Sequence, residues 1–120
     1  MRMGTLVAAD SGEPLARVAR CEGPIERMRG LLGRPALGPA EGLLIAPCNS
    51  IHTVGMRYAI DVVFLDAEVR IVAVRHGLAP LRLAAARGAR SVVELASGEA
   101  RRLGLLPRRC VRWAVQGDTA

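Results

Sequence analysis

Side chains able to do chemistry collect in one stretch, Pro47 to Asp66 (PCNSIHTVGMRYAIDVVFLD), where they interrupt an apolar pattern. Within it lie Cys48, Ser50, His52, Arg57 and Asp61. His52 ordinarily titrates close to neutral pH, so it suits acid–base work or the orientation of a polar group. Arg57 offers a planar, permanently charged fork for a carboxylate or phosphate. Asp61 falls inside Ala59 to Leu65, a run apolar on both strand faces, as in a central, doubly covered strand. A carboxylate there needs a partner, because an unpaired buried charge is costly. A two-residue turn at Gly55-Met56 would pair Thr53 with Tyr58, His52 with Ala59, Ile51 with Ile60 and Ser50 with Asp61. Directly opposed residues share a face, so Ser50, His52 and Asp61 are expected on one side, with Arg57 at the rim.

Three roles compete for this cluster: a buried hydrogen-bond network fixing register, a pocket for an anionic or polar ligand, and catalysis with Asp61 orienting His52. A Ser50–His52–Asp61 triad lacks the GxSxG elbow and an oxyanion hole. Cys48 and His52 would stand roughly 13 Å apart along an extended strand, too far for one ion. No ligand spacing for a metal and no CxxC pair is present, so neither metal nor cofactor is expected. Cys48 reads as a small core residue, Met56 and Trp113 as packing residues, and His76 as a surface loop residue. Glu94 is a second acid within an apolar strand, SVVELASG, expected as a strand-edge charge or an Arg partner. The candidate ligand set is therefore Ser50, His52, Arg57, Asp61 and Glu94.

The elements that must position these residues are mostly short strands. Thr5 to Ala9 and Pro14 to Cys21 flank the turn residues Asp10-Ser11-Gly12-Glu13. One clear helix follows: Pro24 suits its first turn, Glu26 its positive end, and Ile25, Met28, Leu31 and Leu32 form an apolar stripe, with Gly33 and Pro35 as stops. Leu43-Leu44-Ile45 is apolar, and further strands are predicted at Cys48 to Thr53, Tyr58 to Leu65, Val69 to Arg75, Ser91 to Ala96 and Cys110 to Gln116. Asp66-Ala67-Glu68 is short enough for a hairpin loop, and Gly117-Asp118 has the residues of a terminal turn. Leu78 to Ala89 fits neither pattern, with Pro80 opposing a long helix; Ser97 is a candidate cap for a short helix over Gly98 to Leu103. The expected fold class is mainly β, a compact sandwich or barrel of short, largely antiparallel strands forming one domain over residues 1–120.

Composition narrows the classes of function. Of 120 residues, 51% are hydrophobic but only Tyr58, Phe64 and Trp113 are aromatic, so the core is aliphatic. All seventeen basic residues are Arg. Residues 70–112 hold ten of them against Glu94 and Glu99, a local +8, while the remainder carries −2. Such asymmetry is compatible with an anionic partner, but three aromatics and no recognition-helix motif argue against nucleic acid. No apolar run is long enough for a membrane span, Met1 to Asp10 lacks a signal-peptide core, and three widely spaced cysteines suit reduced thiols. A cytoplasmic protein is expected.

RGLLGR at residues 29–34, then GLLI, PCNSIHT, MRYAIDVVFLD, VVELASG and the late GD, together resemble the domain of unknown function 192 family over most of residues 5–118. The resemblance implies a compact, mainly β domain and places Gly30, His52, Met56, Asp61, Phe64, Glu94 and Gly98 at family motif positions. It implies no activity, substrate or cofactor. The leading expectation is a non-enzymatic binding or accessory module with a polar pocket around His52, Arg57 and Asp61, taking a small polar or anionic ligand or a protein partner. The alternatives are a small hydrolase or lyase using His52 as general acid–base, and a nucleic-acid-binding protein using the Arg-rich 70–112 region.

Overall fold

The structure, a computed structural model, describes residues 1–115, so Gln116 and the turn expected at Gly117-Asp118 lie outside the described residues. In chain order the elements are β1 (Arg2–Ala8), β2 (Pro14–Arg20), α1 (Gly23–Arg29), β3 (Glu41–Ile45), β4 (Ser50–His52), β5 (Ile60–Leu65), β6 (Ile71–Leu78), β7 (Leu83–Ala85), β8 (Ser91–Ala96), α2 (Glu99–Arg102) and β9 (Val111–Val115). Seven strands make one mixed sheet in the order β6-β5-β8-β3-β2-β1-β9, and β4 pairs with β7 in a separate ribbon. The fold is mainly β, as expected.

The sheet curls until its two outer strands meet. Arg70 bridges Cys110, the Ile71 amide donates to the Arg109 carbonyl (2.9 Å), and the Arg108 amide donates to the Ile71 carbonyl (2.7 Å). Strand alternation then separates an inner and an outer layer. Val63 and Leu65 of β5, Val93 and Leu95 of β8, and Leu44 of β3 pack inside with Leu6, Val18 and Leu105. Val62, Phe64, Val92, Leu43 and Ile45 face outward and are covered by Leu31, Ile51 and Ala84. All six residues of β5 are consequently buried, as its two apolar faces predict.

The outer cover follows from topology. β2 and β3 are parallel, whereas the other paired strands run antiparallel. Parallel neighbours need a crossover rather than a tight turn. That crossover, residues 21–40, carries α1 and Leu31 onto the outer face; the β4–β7 ribbon covers the rest.

Several expectations change. α1 ends at Arg29, a turn before Gly33, because Gly30 takes φ 51° and ψ −125° and closes the helix with its amide on the Glu26 carbonyl. Its stripe is not buried as a unit: Leu31 packs inward, but Ile25 is 80% and Met28 82% exposed. The Leu78–Ala89 segment contains β7, and His76 lies on β6 rather than in a loop. Trp113 does pack, its indole N–H donating to the Val18 carbonyl (2.9 Å) over the bare backbone of Gly4.

The expected pairing of 50–53 with 58–61 does not form. β4 pairs with β7 (Ser50↔Ala85, Ile51↔Ala84, His52↔Leu83), and β5 lies between β6 and β8. Asp61 therefore never faces Ser50 or His52. It is fully buried, with Oδ1 accepting from the Gly77 amide (2.8 Å) and Oδ2 from the Gly98 (3.0 Å) and Ala100 (2.9 Å) amides. Asp61, not Ser97, thus caps α2, across the barrel end instead of from the adjacent residue. Asp61→Ala strands three amides and should lower the unfolding free energy by about 3 kcal/mol or more. Urea titration checks this as a lowered midpoint at constant slope; a loss below about 1 kcal/mol would show that those bonds are dispensable.

Candidate functional site

Glu94 is the polar residue that the fold leaves unanswered. β8 is central, with Val62 of β5 and Leu43 of β3 opposite Glu94 in register, so the side chain stands among apolar neighbours on the outer face. It is 3% exposed, and its Oε1 has no hydrogen-bond partner among the described residues. The expected strand-edge position and Arg partner are both absent. Desolvation pushes its carboxyl up to about 7.

Gly30 makes room above it. A methyl group on Gly30 would stand 3.5 Å from Glu94 Oε1 and from Ile45 Cδ1, and the backbone angles there suit glycine. Arg34 steadies this turn, donating from Nε to the Gly30 carbonyl (2.8 Å). A cleft of about 250 Å³ opens from Glu94 between the end of α1 and β4. Ile45 and Glu94 belong to its sheet floor; Met28, Gly30 and Leu32 line one wall, and Cys48, Ser50, His52, Val54 and Met56 the other, with Arg27 and Arg29 also lining it.

The β4 wall is held by a residue whose part the sequence did not reveal. Thr53 is fully buried; its hydroxyl donates to the Ala79 carbonyl (2.7 Å) and accepts from the Arg82 amide (2.8 Å). The Met56 amide then returns to the Thr53 carbonyl (3.1 Å), closing a turn over Val54-Gly55 in which Gly55 has φ 89°. The turn is thus one residue earlier than a Gly55-Met56 hairpin would place it.

Of the expected ligand set, the structure brings Ser50, His52 and Glu94 to one cleft. Arg57 lies in an adjoining depression with Arg34 and Tyr58, and Asp61 lies on the opposite face of the sheet. Cys48 lines the cleft and is half-buried. Burial pushes its thiol up and the charge of Glu94 adds to this, while its Sγ donates to the Ser50 carbonyl (3.0 Å), a bond that only the protonated thiol can make. A thiol so held stays protonated and is a poor nucleophile. Among the described residues no three His, Cys, Asp or Glu side chains come together as a metal site.

A family profile, DUF192, described as an uncharacterized ACR, matches residues 6–113, and the chain belongs to that family. No curated protein matches the chain. Among solved structures it is similar to a protein of unknown function from Novosphingobium aromaticivorans DSM 12444 (23% identity, TM-score 0.78, covering 92% of this chain and 84% of that one). It is also similar to a protein from Sinorhizobium meliloti 1021 described as a putative transcription regulator (22% identity, TM-score 0.76, covering 98% and 95%). At these identities the likeness shows the shared fold.

The site makes stability depend on pH with a definite sign. The folded state raises the Glu94 carboxyl from 4.5 to about 7, so it holds that proton more tightly than the unfolded chain does. The resulting stabilisation is complete below pH 4.5 and is lost as the pH rises through about 7. Glu94→Gln stays neutral, so relative to the wild type its stability should rise by about 3 kcal/mol between pH 4 and pH 8. Denaturant midpoints of both proteins at each pH check this; parallel pH profiles would contradict it.

Proposed function

We propose that this DUF192 member is a non-enzymatic binding module, and that its cleft holds a polar ligand through a hydrogen-bond donor directed at Glu94, with Ser50 and His52 alongside. The observation that carries this reading is the buried, unpartnered Glu94 Oε1 at an open cleft. Buried polar atoms are nearly always bonded, and an exception facing a cavity is explained most economically by a missing donor. Of the polar or anionic ligands expected, this favours one bearing an amine, amide or hydroxyl, with Arg27 and Arg29 available to an acidic portion.

The other readings have less support. A His52 acid–base role lacks its orienting acid, since both Asp61 oxygens accept backbone amides instead. The Arg-rich window is partly committed within the fold: Arg102 pairs with Glu99, holding that carboxyl at about 2, and Arg109 donates to the Leu103 and Gly104 carbonyls.

Amide NMR of the labelled protein, titrated with n-butylammonium, acetamide and acetate as probes, tests the reading. The ammonium and acetamide should shift the resonances of Gly30, Ser50 and Glu94, acetate should not, and Glu94→Ala should abolish the response while keeping a folded spectrum. Shifts that survive in Glu94→Ala, or a cleft silent to both donor probes, would overturn it.

A further inference from the structure

The wall of the cleft opposite α1 is a strand edge, most of whose outward backbone groups are unpaired among the described residues. The Thr53 amide donates to the Arg82 carbonyl (2.8 Å) and the Ala86 amide to the Asn49 carbonyl (3.2 Å). With Ile51 opposite Ala84, these bonds fix the parity of the ribbon: 49, 51 and 53 point their backbone groups at β7. Ser50 and His52 must therefore turn theirs the other way, toward the cleft. Of these, the Ser50 carbonyl takes the Cys48 thiol, while the Ser50 amide and both His52 groups have no partner in the ribbon. Side chains alternate oppositely, Ile51 going into the outer core while Ser50 and His52 stay exposed.

Two further features lie beside this edge. The cleft, at about 250 Å³, is smaller than the roughly 300–1,000 Å³ of small-molecule sites and has the size of a socket for one side chain. Around its mouth Met28 and Val54 are exposed apolar residues, with Ile25 on the same helix. Exposed apolar residues beside an open strand edge are what a strand-adding partner covers.

Resting on the binding reading above, we propose that the occupant is an extended segment of a partner protein, which adds to the β4 edge as a third strand of the ribbon and lowers a cationic side chain, such as lysine, onto Glu94. Charge complementarity chooses that side chain: a cation answers the lone carboxylate on the floor, and its aliphatic stem suits the Met28 and Leu32 wall. Backbone bonds to Ser50 and His52 supply the register, since a strand on this edge turns every second side chain toward the sheet below. An acidic residue two positions beyond the lysine would meet Arg27 or Arg29 at the mouth.

The test compares n-butylammonium with an acetylated and amidated hexapeptide, Val-Thr-Val-Lys-Val-Glu, by amide NMR titration of the whole chain. Two further versions carry N-methyl groups on the odd or the even amides. The parent peptide should bind at least about tenfold more tightly than n-butylammonium, and only one N-methylated version should lose that gain, because a strand offers one edge at a time to β4. Replacing the peptide's lysine by norleucine should cost about tenfold, and Glu94→Gln should remove most of that difference. A peptide no tighter than n-butylammonium, or one indifferent to both methylation patterns, overturns the strand-addition proposal while n-butylammonium still reports on the cleft. Silence from n-butylammonium itself overturns the cleft reading on which the proposal rests.

Discussion

A carboxylate taken out of water must be given donors, and two adjacent central strands meet that constraint in opposite ways. Asp61 on β5 and Glu94 on β8 lie one register position apart and point to opposite faces of the sheet. On the inner side, Asp61 gathers three backbone amides from β6 and the start of α2, and so seals one end of the curled sheet. On the outer side, Glu94 receives no donor to Oε1 and opens onto a cleft. The satisfied acid is an element of the fold, and the unsatisfied one is the residue on which the proposed binding site rests.

The cleft exists because of how the outer face is covered. Parallel pairing of β2 with β3 sends residues 21–40 over that face, and Gly30 lets the backbone pass close to Glu94 without filling the space above it. On the far side the β4–β7 ribbon, pinned by Thr53, stops short of α1. Exposed Ile25 and Met28 belong to the same arrangement: the helix itself buries no residue, and of the expected stripe only Leu31, just past its end, joins the core.

Much of this was legible in the sequence where the signal is local. Alternation and apolar runs locate β5 and β8, Pro24 and Glu26 mark the start of α1, and acids within apolar strands single out both Asp61 and Glu94. What the sequence could not convey is non-local pairing. β4 has only three residues, too few for a period-two pattern, and its partner β7 hides in the stretch around Pro80. A Gly55 turn looked like a hairpin between 50–53 and 58–61, which put His52 beside Asp61; in the fold the chain leaves the turn and enters a different sheet. The stripe of α1 misled for a related reason, because 3.6-residue periodicity records an apolar face without saying whether the chain itself covers it. Motif positions taken from the DUF192 resemblance include Gly30 and Glu94, which the fold brings together, whereas the residues joined by the assumed register are held apart.

The central claim is that Glu94 stands desolvated and unpaired at the floor of the cleft. A carbon-13 titration of its side-chain carboxyl in the free protein tests this most directly. The account predicts a midpoint near the raised value of about 7, falling when a cation occupies the cleft. A midpoint at or below the ordinary 4.5 would mean that water or a fixed donor already serves this carboxylate, and would contradict the account.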